Sequence, residues 1–98
     1  MEIEYESDTL KQLTKDETFT AGFSEAVVNA YRKRIQLIDA APDERALYAL
    51  TSVRFEKLKG DRVGQWSMRL NDRWRLIVRL VKKPTGKTVA VIEIVDYH

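Results

Sequence analysis

Two runs of strict alternation, set on either side of a short polar break, constrain this chain more than any other feature. Trp66, Met68 and Leu70 alternate with Gln65, Ser67 and Arg69, and Trp74, Leu76, Val78 and Leu80 alternate with Arg73, Arg75, Ile77 and Arg79. A period of two marks a strand with one buried face, so the runs predict a hairpin turning at Asn71-Asp72. Its register follows from the need to bring both apolar rows to one side. A two-residue loop, Asn71-Asp72, would pair Leu70 with Arg73 and set the rows on opposite faces. A three-residue loop, Asn71-Asp72-Arg73, pairs Leu70 with Trp74 and merges them, and is the one expected.

In that register Arg69 lies across from Arg75 on the exposed face, one step from Ser67. Like charges at opposed strand positions repel, so the pair calls for a counter-anion, and a phosphate between two guanidinium forks would supply it. Two solvated arginines that splay apart are the plainer explanation. The surrounding Arg54, Lys57, Lys59, Arg62, Arg73 and Arg79 favour the anion. Residues 1–52 carry 6 Lys+Arg against 10 Asp+Glu, whereas residues 53–98 carry 11 against 5. Because phosphate contacts respond to local potential, this segregation says more than the formal net charge of +2.

The rest of the chain supplies a scaffold. Ile3 and Tyr5 alternate with glutamates, predicting a short edge strand, and Ser7 or Asp8 caps a small helix carrying Leu10 and Leu13. Phe23 and Val28 flank a Ser24 cap as a hydrophobic staple, and Val27, Val28, Tyr31, Ile35 and Ile38 form a helical stripe that ends before Pro42. Arg32, Lys33 and Arg34 on that helix could meet RNA or an acidic partner, although a solvated face is the ordinary meaning of such a run. A third helix over 43–50 brings Ala46, Leu47 and Leu50 to the same core. Residues 82–87 form a turn through Pro84 and Gly86, and 89–95 are so rich in β-branched residues that their strand should be central. The expected fold is α+β: an N-terminal strand and two to three helices packed on one face of a small, twisted antiparallel sheet whose cationic face stays open.

Ninety-eight residues suffice for one domain, here 1–98, and not for two. The absence of cysteine excludes disulfide and thiol chemistry. No apolar run is long enough to span a bilayer and no signal-peptide pattern is present, which makes the cytoplasm the expected address, away from any membrane. One histidine and no cysteine cannot make the usual zinc sites, no carboxylates have calcium- or magnesium-loop spacing, and no Walker lysine follows Gly60 or Gly64. Neither a metal nor a cofactor is expected. Trp66 and Trp74 could stack on bases, but both belong to the apolar row and are expected in the core.

The single histidine, His98, ends the sequence beside Asp96 and Tyr97. A terminal residue is often just loose chain, yet this one directly follows an apolar strand. Residues 58–78, LKGDRVGQWSMRLNDRWRLIV, followed by EIVDYH at 93–98, resemble the HigB-type toxins, the plasmid-maintenance killer proteins within the RelE/ParE-like superfamily. The likeness is strongest over 56–81 and 92–98, about a third of the chain. It implies a metal-independent endoribonuclease that enters the 30S A site of the ribosome, cuts the mRNA under translation, and is neutralised by a helix-turn-helix antitoxin of the HigA kind.

The functional candidates carried over with the resemblance are Glu56, Lys59, Arg69, Arg75, Asp96, Tyr97 and His98. The chemistry is attack of a ribose 2′-OH on the adjacent phosphate, which needs a base, an acid and a stabiliser of the pentacovalent state. Arg75 and Arg69 would hold the phosphoryl oxygens with Lys59 adding charge, and His98 would protonate the leaving 5′-oxygen. Asp96 or Tyr97 would orient it, and Glu56 or Lys59 would accept the proton. Arg54, Lys57, Arg62 and Arg73 join Arg69 as candidates for binding RNA. One departure stands out: residues 1–8 are acidic, where many relatives open with a basic strand and helix. The competing expectation is a non-catalytic module that uses the same scaffold to hold a regulator or another protein target.

Overall fold

The computed structural model describes residues 1–97. Strand β1 (Glu2–Tyr5) and helices α1 (Asp8–Lys15), α2 (Glu25–Ala40) and α3 (Glu44–Ala49) precede β2 (Glu56–Lys57), β3 (Gln65–Arg69), β4 (Trp74–Lys83) and β5 (Gly86–Asp96), with single 3-10 turns at Thr51–Val53 and Gly60–Arg62.

The helices begin where side chains satisfy their unpaired amides. Of the two candidate caps on α1 it is Ser7 whose hydroxyl accepts from Leu10 N, at 3.2 Å, and Ser24 does the same for Val27 N on α2. Helix α2 stops at Ala40 as the chain turns into Pro42, and it buries Val27, Val28, Tyr31 and Ile38. Tyr31 is fully buried and its hydroxyl donates to Leu10 O at 2.7 Å, pinning α2 to α1. Burial pushes the Tyr31 phenol above its ordinary pKa, with Tyr5 adding to the shift. Asp43 caps α3 through Arg45 N. Leu47 is buried there as expected, but Leu50 is not, being 39% exposed. The chain leaves α3 at Leu50 in an extended conformation and enters a 3-10 turn, so the helical period no longer points that side chain inward.

The sheet has five strands in the order β1-β5-β4-β3-β2. Strands β2 to β5 are antiparallel, as expected, and β5 is internal. Strand β1 differs: it lies parallel to β5, with Ile3 opposite Val89 and Tyr5 opposite Val91, so the sheet is mixed. A parallel neighbour requires a long crossover, and the whole helical layer supplies it. The hairpin has the three-residue loop. Leu70 N donates to Trp74 O at 3.0 Å, and the Asn71 side-chain oxygen accepts from Arg73 N and Trp74 N at 2.9 and 2.8 Å. Arg69 is accordingly opposite Arg75.

All three helices cover one face of the sheet, and the core between the layers includes Leu13, Tyr31, Ile38, Leu47, Met68, Leu76, Val78, Val89 and Val91. Trp66 and Trp74 pack at the margins of that core, half-buried, Trp74 edge-on to Phe23 and Trp66 stacked on Phe55. In β5 the pairing passes from Val78–Val91 to Ile77–Glu93, a bulge that leaves Ile92 without a partner across the ladder. This irregularity lets Val91 and Ile94 both face the core while Glu93 joins Ile77 on the other side. Among the described residues no helix is long and apolar enough to cross a membrane.

Candidate active site

The face of the sheet opposite the helices holds a cleft of about 470 Å³, lined by Leu58, Arg62, Ser67, Arg75, Ile77, Val95, Asp96 and Tyr97. Strand parity puts Ser67, Arg75, Ile77 and Val95 side by side, because Ser67 pairs with Ile77 and Arg75 with Val95. The segment 58–64 forms a wall, turned by Gly60 at φ +67° and Gly64 at φ +88°. Val63, at the end of that wall, is 77% exposed.

Arg75 sits on the expected face but is not solvated. It is 9% exposed. Its Nη1 donates to Asn71 O at 2.6 Å and to Trp74 O at 3.1 Å, and the Tyr97 ring lies 4.6 Å from the guanidinium carbon. An open-faced arginine becomes buried here because the hairpin loop and the end of β5 fold over it from two sides. Among the described residues no buried side-chain nitrogen or oxygen lacks a partner. Nε and Nη2 of Arg75 have none among the described residues, so they keep contact with solvent at the cleft that Arg75 lines. One half of the guanidinium is fixed and the other half is presented.

Arg69 and Arg75, although opposite one another, take separate protein partners. Arg69 turns to the Asp72 carboxylate in the loop, and its own carbonyl accepts from Arg34 Nε at 2.8 Å. Like charges across the strands are thus relieved by divergence. The arginines of α2, half-buried, are likewise held by main-chain carbonyls. Arg32 donates to the carbonyls of Leu13 and Asp16 at 2.9 and 3.0 Å. Burial and the nearby Arg69 lower the pKa of Arg34.

Other candidates are redistributed too. Arg73 projects on the Trp74 side of the sheet and clasps both oxygens of Asp96 through Nε and Nη2, at 2.6 to 2.9 Å, and this partner raises its pKa further. Tyr97 N donates to Arg73 O at 2.6 Å. Lys57 pairs with Trp66 across β2 and β3 and places its ammonium 5.7 Å above the indole, on the helical side and away from the cleft. Glu56, opposite Ser67, is on the cleft side of β2 and exposed. Arg54, in left-handed conformation at φ +49°, and Lys59 are exposed, and neither has an ion-pair partner among the described residues. His98 lies outside the described residues.

Glu93 is a neighbour of Arg62 that pattern reading overlooked. Its carboxylate pairs with Arg62, which also donates to Gln65 Oε1 at 2.9 Å. A lone carboxylate in a β-branched run was a legible signal, but only the bulge at Ile92 turns it toward the cleft. Glu6 approaches Arg79 to 3.7 Å and Glu4 pairs with Lys83. The open face is therefore not simply cationic: the acidic first strand and Glu93 neutralise much of it. Among the described residues no three His, Cys, Asp or Glu side chains come together to hold a metal ion.

Helices on one face of a five-stranded sheet, with a cleft on the other face at the end of its last strand, are the architecture of the RelE-like fold. The YoeB/ParE toxin from Agrobacterium tumefaciens shares the fold, with a TM-score of 0.59 and 20% identity over 100% of this chain and 99% of that one. The family model for the RelE-like toxin of type II toxin-antitoxin system HigB matches residues 3–98. Toxin HigB-1 of Vibrio cholerae serotype O1 is 31% identical over 81 residues, 83% of this chain and 85% of that protein. The chain belongs to the HigB-like toxin family of type II toxin–antitoxin systems, and so to a class of proteins that act opposite an antitoxin.

Proposed function

We propose that this toxin is a ribosome-dependent endoribonuclease, residues 1–98 forming one domain that works in the cytoplasm. It cuts mRNA in the 30S A site by attack of a 2′-OH on the adjacent phosphate, and a helix-turn-helix antitoxin of the HigA kind restrains it. The observation that carries this reading is Arg75, fixed by the carbonyls of Asn71 and Trp74 and a phenol ring while its remaining N–H donors open into the cleft. Donors that need no reorganisation as charge develops stabilise a pentacovalent phosphorane far better than mobile ones.

In this reaction Arg75 binds the phosphoryl oxygens. Tyr97, at the lip of the cleft, and Asp96 precede His98, which acts as the acid, and Glu56 or Lys59 on the outer rim takes the 2′-OH proton. Arg62 exchanges its Glu93 carboxylate for a phosphate, and Arg54 and Lys59 follow the RNA backbone as unneutralised cations. Arg69, Arg73 and Lys57 contribute by holding the site together. The Arg62–Glu93 pair also favours a second reading, a closed surface that binds a protein partner and cuts nothing.

Primer extension on an mRNA in a purified translation system tests the proposal. Wild-type protein is expected to give cuts only when ribosomes are present, and Arg75→Ala or His98→Ala to give none. A folded wild type that leaves the mRNA intact would favour the partner-binding reading.

A further inference from the structure

The residue that organises this cleft is one that never enters it. Arg73 belongs to the hairpin loop, and three of its groups reach the end of β5. Its Nε and Nη2 clasp the Asp96 carboxylate, and its carbonyl accepts from Tyr97 N at 2.6 Å. The loop that carries it is held by Asn71, whose side-chain oxygen accepts from Arg73 N at 2.9 Å and whose carbonyl accepts from Arg75 at 2.6 Å. A bidentate guanidinium–carboxylate pair fixes direction as well as distance. Because backbone and side chain of one residue grip two consecutive residues of the tail, the tail cannot rotate about its own axis. The Tyr97 ring is thereby delivered onto Arg75, although it is 56% exposed.

We infer that Arg73 is a positioning residue: it latches the loop to the carboxyl-terminal residues and so sets the stacking of Tyr97 on Arg75, without touching the substrate. The role it plays in cleavage rests on the nuclease reading above, whereas the latch itself does not. It differs from an RNA-binding role in a measurable way. An RNA contact would change the concentration of toxin needed to saturate ribosomes, while a latch changes the rate of the bound complex.

The test compares wild type, Arg73→Ala and Arg73→Lys. The side-chain Nε–H resonance of Arg75 reports the ring above it, since protons over an aromatic face are shifted upfield. In wild type this resonance is expected upfield. In Arg73→Ala it moves toward the position of an unstacked arginine, and in Arg73→Lys, which keeps the charge and loses the fork, it lies between. Single-turnover cleavage on programmed ribosomes is expected to fall about 100-fold in Arg73→Ala, the scale of a misplaced catalytic group, with the half-saturating toxin concentration unchanged. Arg73 is exposed, so the variant should fold; if Arg73→Ala does not, Arg73→Lys decides by the same resonance. An unmoved Arg75 signal in a folded variant overturns the latch, and so does a defect confined to half-saturation. A wild type that cuts nothing, yet shows the displaced signal and its loss in Arg73→Ala, overturns the nuclease reading and leaves the latch standing.

Discussion

Replacing Arg75 by alanine should weaken the fold, and the size of the effect follows from its partners. The substitution removes a charge-assisted hydrogen bond to Asn71 O, a kind worth about 1.5–3 kcal/mol. The second acceptor, Trp74 O, keeps its bond from Leu70 N at 3.0 Å and is not orphaned. Stacking on Tyr97 contributes about 0.5–1 kcal/mol more at a site with one open side. Against these stand the relieved desolvation of a buried guanidinium and the relieved repulsion from Arg69. The net loss is about 1–2 kcal/mol, which for a domain of this size lowers the melting temperature by about 4–16 °C. Thermal unfolding followed by circular dichroism measures it, with Tyr97→Phe as a companion that keeps the ring and should melt with wild type. A solvated arginine would change stability by no more than about 0.5 kcal/mol. An Arg75→Ala protein that melts like wild type would therefore refute the buried, doubly held guanidinium.

Four further outcomes are expected. Tyr31 has a folded-state pKa above its ordinary value, so stability should be full below about pH 10, the unfolded pKa. It should then decline as pH rises above that, by at most about 1.4 kcal/mol per pH unit; urea midpoints at pH 8 and pH 11 should differ less in Tyr31→Phe. Asn71→Ala frees two loop amides and should destabilise by about 1–3 kcal/mol, with faster hydrogen exchange at Trp74 N. Glu93→Gln removes the carboxylate that competes for Arg62 and should tighten binding of a single-stranded RNA oligonucleotide in a filter assay. Neutralising Arg54 and Lys59 to glutamine should reduce the slope of log affinity against log salt by about 0.7 for each cation that meets a phosphate, and an unchanged slope would remove both from the RNA path.

The hairpin was legible because its alternation and its loop length determine each other. Merging the Trp66 and Trp74 rows left one register, and Arg69 does face Arg75. The caps at Ser7 and Ser24 were legible for a similar reason, since few residue types satisfy free helix amides. What the pattern did not contain was the third dimension of the open face. Whether Arg75 is solvated depends on Tyr97 crossing over it, a contact between residues that are distant in sequence and that no periodicity encodes. The direction of β1 was equally hidden, because alternation reads the same forwards and backwards. Arg73 and Lys57 counted as cations in composition, yet the Asp96 carboxylate draws Arg73, and strand parity turns Lys57, away from the cleft.

The place of β5 has a consequence for when the toxin can exist at all. This strand comes after every other element in sequence, yet it lies inside the sheet, joining β1 on one side to β4 on the other. A chain emerging vectorially during its own synthesis carries three helices with no completed surface to cover and a first strand with no neighbour. Folding that waits on such long-range pairing is slow and late. Arrested nascent chains that end before Val89 should accordingly remain open to proteases. Arg75 therefore acquires its cover only once β5 has slid between β1 and β4, and the cleft is the last part of the molecule to take shape.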